Sequence, residues 1–271
     1  MPVDDREESE SNLRRSPTGP WVTPPRAAAN PPQTRQPEPR PRKLYQRNLI
    51  LSTVLFSLIV LGVGIRAYRD VSRPEAWAYW KDLYFSPSLT SSLVAKADFD
   101  GTSRGRAALV IRGRIGPAAA GWFRERLDEA HLAPGDAVLL ASPGGNLDQA
   151  IIMGEIIRSH GLATVVGTAD ASGRVRPAYC ASACVLVYAG GKPRYGVEGS
   201  LLGVHRFVTT SPVSDPVADA QRTTGMLLGY MKKMGVSSSV VEAMSETSDV
   251  RWLAPKEALT MNLVTDPVGA R

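Results

Sequence analysis

Cysteine is nearly absent: Cys180 and Cys184 are the only two in 271 residues, four positions apart. One pair cannot build a disulfide framework or a four-cysteine zinc site, so those two classes are excluded. Histidine is almost as scarce, with three residues, and the excess of positive charge is thinly spread. Of the net +6, residues 1–47 carry +3, from nine Lys+Arg against six Asp+Glu. The remainder of the chain carries the other +3 without a basic stripe, which argues against nucleic acid as a partner. No internal repeat is visible. Proline is plentiful but local: ten of 21 lie in the first 41 residues, so the rest can bury a sizeable core.

The tail of residues 1–47 has almost no apolar runs and sets its prolines between arginines. Such a chain cannot bury enough apolar area to offset its ordering entropy, and a disordered segment is expected. Residues 48–65 then read NLILSTVLFSLIVLGVGI, 18 positions without a charge, flanked by Arg42, Lys43, Arg47 and Arg66. As a helix this spans about 27 Å, enough for a bilayer core. A buried core helix would keep a polar face, and a cleaved signal would have a short leader and a small-residue cleavage site; neither fits. A transmembrane helix over 48–66 is predicted. Five basic residues before it against three after (Arg66, Arg69, Arg73) favour a cytoplasmic N-terminus, which would put the remaining chain outside the cytoplasm.

Residues 67–104 are expected to form a juxtamembrane segment and linker. They include AWAYWKDLYF, with Trp77, Tyr79, Trp80, Tyr84 and Phe85. Two readings stay open: an aromatic belt at the membrane interface, or rings packed on the domain or a neighbouring subunit. From residue 105 strand and helix patterns alternate. ALVIRGR, DAVLLAS and ATVVG read as buried strands, and helices are expected from about Ala118 to His131 and over LDQAIIMGEIIRSHG. Strands separated by such helices imply βαβ units, hence an α/β fold with a parallel sheet over residues 105–271. A helix opening at Ser182, a strand over LLGVHRF and a helix from about Asp215 to Met234 complete the expectation.

Serine acyl transfer needs a hydroxyl, a base and backbone amides aimed at the oxyanion. Ser142-Pro143-Gly144-Gly145 lies between a strand and a helix, where glycine allows positive φ and close backbone approach. Ser182, between Ala181 and Ala183, falls at the expected start of a helix, where the next residue adds an N–H and small neighbours leave its Oγ accessible. His131 and His160 fall at predicted helix ends, where a cation suits the dipole, which leaves His205 as the candidate base.

The series ASPGGNLDQAIIMGEIIR, CASAC, GVHRF and RWLAPKEALTMNLV resembles the proteolytic subunit of Clp proteases, in particular a membrane-anchored periplasmic branch of that superfamily. The resemblance implies a ClpP/crotonase-like spiral of βαβ units. It also implies Ser182 as nucleophile, His205 as base, and Gly144, Gly145 and Ala183 as oxyanion hole. The activity implied is cleavage of peptide or protein substrates by a serine peptidase, without metal or organic cofactor, in a domain that can form homo-oligomers. A periplasmic domain on a bacterial inner-membrane anchor is the location implied.

Two departures from the family follow. Its aspartate position falls on Val250, with Asp249 one residue early, and in a strand that shift turns a side chain to the opposite face. Asp249 is carried as the candidate acid on condition of a local bulge, with Asp215, Asp219 or no acid at all as the alternatives. Cys180 and Cys184 flank the serine and in an oxidising compartment could form a disulfide that fixes its turn. Three alternatives remain open: Lys192 as base, in the manner of signal peptide peptidase A; a crotonase-type acyl-CoA enzyme; and a catalytically silent domain acting as a membrane-anchored scaffold for partner proteins.

Overall fold

The computed structural model describes residues 42–102, 104–170, 172–207 and 214–268. The predicted tail therefore lies outside the described residues up to position 41. The chain divides into two units, Met1–Val60 and Leu61–Arg271. The described part of the first unit is helical, and the helix, α1 (Arg42–Val71), runs on into the second. Within Gln46–Val71 an 18-residue stretch has mean hydropathy 2.3 and no residue buried in the structure, and the helix is long and apolar enough to cross a membrane. Helix formation continues past the apolar run through Arg66, Arg69 and Asp70, because nothing there breaks it before Pro74.

Pro74 opens α2 (Pro74–Trp80), the position where a missing N–H costs nothing, and a π-helical turn follows over Lys81–Phe85. The segment expected as linker then forms β1 (Leu89–Ala97), which pairs antiparallel with β2 (Arg106–Gly113) as the edge of the sheet. Its sequence LTSSLVAKA lacks clean alternation, and its pairing with β2 is interrupted by a register shift between Val94 and Ala97. After β2 come α3 (Ala119–Ala130), β3 (Ala137–Ala141), α4 (Leu147–Ser159) and β4 (Ala163–Val166), the expected alternation. A hairpin of β5 (Thr168–Ala169) and β6 (Val175–Arg176) leads to β7 (Tyr179–Ala181) and α5 (Ala183–Ala189). Next are β8 (Arg194–Val197), β9 (Leu201–Val204), α6 (Pro216–Lys233) and α7 (Ser239–Ser245), then β10 (Arg251–Trp252), α8 (Pro255–Thr260) and β11 (Asp266–Val268).

The main sheet runs β1-β2-β3-β4-β8-β11, parallel from β2 onward, so the fold is mixed α/β with a mostly parallel sheet. Its central strands are apolar on both faces, as a sheet covered on both sides requires. Leu109, Ile111, Val138, Leu140 and Val166 enter the larger core beneath the helices. Their neighbours Ala108, Val110, Ala137, Leu139 and Val165 enter a smaller cluster around Phe99 on the other face. That split by parity is the two-residue period of the strand read as packing.

A small second sheet, β10-β9-β7, stands apart from the main one and carries the serine turn. Below it, Arg194 is almost wholly buried. Its guanidinium donates to the carbonyls of Asn262, Leu263, Gly191 and Met234 at 2.7, 2.8, 3.1 and 3.2 Å. Among the described residues no carboxylate forms a salt bridge with it. Burial lowers its pKa, and the charge is held instead by carbonyl dipoles, several of them where α6 and α8 end.

Candidate active site

Ser182 sits between β7 and α5 at φ 57° and ψ −129°. The other non-glycine residues at positive φ are His131 and Asn262, among those described. His131 is an ordinary left-handed helix cap at φ 49°, ψ 42°, whereas the Ser182 combination lies outside that basin. Holding a side-chain-bearing residue there costs on the order of 1–3 kcal/mol and needs support from its surroundings. The support is explicit. β7 pairs with β9, and Ser182 N–H donates to the Gly203 carbonyl at 2.8 Å. On the other side Ser142 N–H donates to the Tyr179 carbonyl, and Ala181 N–H to the Ser142 carbonyl, both at 3.0 Å. Cys180 and Cys184 are joined in a disulfide across the turn, with Cα atoms 5.3 Å apart.

Gly144 and Gly145 approach the serine from the end of β3, at φ 92° and 145°. A Cβ on Gly144 would fall 2.6 Å from the Ala181 carbonyl oxygen and 2.8 Å from Ser182 Cβ, so only glycine fits. One on Gly145 would run into the Ile115 carbonyl. The amides divide in a way the sequence reading did not separate. Gly144 N–H donates to Ser142 Oγ at 3.0 Å and is thereby occupied, so Gly144 supplies close approach instead of a donor. Among the described residues the Gly145 and Ala183 amides have no protein acceptor, and these two remain for an oxyanion.

His205 follows the end of β9, half-buried, and its Nδ1 lies 2.6 Å from the carbonyl oxygen of Arg206. A carbonyl only accepts, so this contact assigns the proton to Nδ1 and leaves the Nε2 lone pair available. No hydrogen bond joins Ser182 Oγ to His205 among the described residues; both line one cleft of about 850 Å³. Gly145, Ala183, Phe207 and Asp219 line it too, as do Ala78, Lys81 and Asp82 from the juxtamembrane segment. Beside Ser182 and His205 lies a narrow apolar pocket of about 20 Å³, walled by Leu147, Leu186, Phe207, Leu227 and Met244. A larger apolar cavity of about 250 Å³, between β8 and α8, includes neither residue.

Asp249 is not brought to the site. It is exposed, its backbone bonds with Thr247 Oγ1, and it does not line the cleft. The pairing Arg251 to Val204 and Trp252 to Gly203, carried one residue further, sets Val250 opposite His205. Asp215 caps α6 through the Ala218 amide, and Lys192 is exposed before the cis Pro193, outside the cleft. The Arg206 carbonyl and the juxtamembrane wall were missed from sequence. A backbone oxygen has no residue signature, whereas the Ser142 hydroxyl two residues before Gly144 was a readable turn signal.

No protein-family model matches this chain, and no curated protein matches it. Solved structures do. ClpP1 from Listeria monocytogenes is 16% identical with a TM-score of 0.47, over 60% of this chain and 92% of that one. A point mutant of the same protein gives the same figures. A variant of the 1510-N membrane-bound stomatin-specific protease is 18% identical with a TM-score of 0.42, over 59% of this chain and 77% of that one.

Proposed function

We propose that this chain is a single-pass membrane protein whose α/β domain is a serine peptidase of the Clp type. The observation that carries the reading is the Ser182 turn: a non-glycine residue held at φ 57° beside two unoccupied amides, in a cleft shared with His205. Ser182 Oγ attacks the substrate carbonyl, and His205 Nε2 takes its proton and passes it to the leaving amine. The Gly145 and Ala183 amides hold the tetrahedral oxyanion, and water then releases the acyl group from Ser182. The narrow apolar pocket suits a small apolar side chain next to the scissile bond. The anchor is residues 48–66 within α1, with the domain outside the cytoplasm on the charge bias of the flanks, in a bacterial setting the periplasm.

Covalent labelling of the full-length protein in detergent by a fluorophosphonate tests this. Labelling is expected in the wild type and its loss in both Ser182→Ala and His205→Ala. The missing Ser182–His205 hydrogen bond favours a second reading, a silent domain that serves as a membrane-anchored scaffold. Catalytic hydrogen bonds are often long without substrate, so the peptidase reading stands first. Failure of the folded wild type to label, in detergent and in lipid, decides for the scaffold.

A further inference from the structure

The juxtamembrane segment has two unlike faces. On one, Asp82 is nearly buried, and its carboxylate accepts from Ser88 N–H at 2.9 Å, Ser88 Oγ–H at 2.6 Å and Ala118 N–H at 3.0 Å. Ala118 caps the start of α3, so a negative charge meets the positive end of that helix. The same face supplies Ala78 and Lys81 to the cleft that contains Ser182 and His205. On the other face the rings are left bare: Trp77 is 59% exposed, Trp80 42%, Tyr84 68% and Phe85 74%. They stand in two pairs, Trp80 stacked on Tyr84 at 5.5 Å and Trp77 beside Phe85 at 6.2 Å.

Four large rings in water are an unspent apolar surface, and the chain itself indicates what covers them. Trp77 is eleven residues past Arg66, where the charge-free run ends, and the path is helical to Val71 and again from Pro74. At about 1.5 Å per helical residue and 3.4 Å per extended one it reaches at most about 22 Å, so the rings cannot travel far from the bilayer boundary. Trp and Tyr are the residues that prefer that boundary, with an apolar body and a polar tip. We infer that the aromatic face of residues 74–85 is seated in the headgroup layer of the bilayer that α1 spans. The cleft on its other face then takes polypeptide from the layer next to the membrane. This rests on the membrane-anchored peptidase reading and names its substrate class: chain segments adjacent to a lipid surface.

The test uses the full chain in proteoliposomes of phosphatidylcholine, with and without bromine on the acyl chains near the headgroup. In one variant Trp21, Trp122 and Trp252 are changed to Phe, leaving Trp77 and Trp80; in a second, Trp77 and Trp80 are changed to Phe instead. Severalfold stronger quenching in the first variant is expected. Equal quenching, which would mean the rings face water or a second copy of the chain, overturns the seat. A fluorophosphonate carried on a lipid headgroup by a short oligo(ethylene glycol) spacer reads the cleft. It is expected to label the wild type at least tenfold faster than the soluble probe at equal bulk concentration, through its raised local concentration. Equal rates overturn the substrate class. In Trp77→Ser/Trp80→Ser the soluble-probe rate is expected to hold while the lipid-probe advantage falls. Labelling without differential quenching rejects this inference alone; quenching without labelling by either probe rejects the peptidase reading alone.

Discussion

The Nδ1 of His205 lies 2.6 Å from the carbonyl oxygen of Arg206, the next residue in the chain. The orienting partner of the imidazole is thus local backbone, and it fixes the tautomer in which Nε2 accepts a proton. A carbonyl dipole orients without a full negative charge, so an imidazolium formed during the reaction is stabilised less than by a carboxylate.

Asp249→Asn is accordingly expected to change the rate of fluorophosphonate labelling by less than about threefold. Loss of a working triad acid costs roughly 10⁴. A fall of a hundredfold or more in the folded variant would restore Asp249 to the site.

Gly144 admits no side chain, since it stands at φ 92° and a Cβ there would fall 2.6 Å from the Ala181 carbonyl oxygen and 2.8 Å from Ser182 Cβ. Gly144→Ala is expected to destabilise the domain by about 1–3 kcal/mol and to cut labelling by at least a hundredfold by displacing the serine. Ser142→Ala removes only the acceptor of the Gly144 amide and should cost about 1–3 kcal/mol in denaturant unfolding. Unchanged labelling in Gly144→Ala would show that the turn does not set the nucleophile.

The Cys180–Cys184 bridge closes a five-residue arc around Ser182. By loop entropy such a short closure contributes about 2 kcal/mol. Its larger effect falls on the serine, because the bridge helps hold a conformation that the free chain avoids. The double variant Cys180→Ala/Cys184→Ala should fold with a modestly lower Tm and lose tenfold or more in labelling rate. Full labelling at wild-type rate would make the bridge a matter of stability alone.

Arg194→Met roughly keeps the side-chain volume but strips the Asn262, Leu263 and Gly191 carbonyls of their donor, while that of Met234 keeps the Arg158 guanidinium at 2.7 Å. A loss of about 3 kcal/mol is expected, since each unmet buried acceptor costs on the order of 1–3 kcal/mol while the desolvation of the charge is relieved. For a domain of this size that is a Tm lowered by about 6–12 °C. A variant as stable as the wild type would mean that water replaces the guanidinium.

The α/β alternation from β2 to β4 was legible because its strands are apolar on both faces and its helices carry 3.6-residue periodicity. β9 was legible too, within LLGVHRF, but β1, β7 and β10 were not, being two or three residues long or, for β1, half polar and at an edge. Ser182, His205 and the glycine pair could be picked out because their chemistry is written in residue type. The division of labour between Gly144 and Gly145 could not, since it depends on which amide the Ser142 hydroxyl captures. The same holds for Asp249: strand register, set by the pairing of β9 with β10, decides what faces His205.

The carbonyls around Arg194 are drawn from positions 3, 40, 68 and 69 residues further away along the chain or back from it, ending at Leu263. During synthesis the parallel strands can emerge and collapse well before that last partner leaves the ribosome. Until it does, the guanidinium lacks two of its four carbonyl partners, those of Asn262 and Leu263. Closure of the domain is therefore timed by its C-terminal segment, and a nascent chain stopped short of residue 263 would hold its helices without locking them.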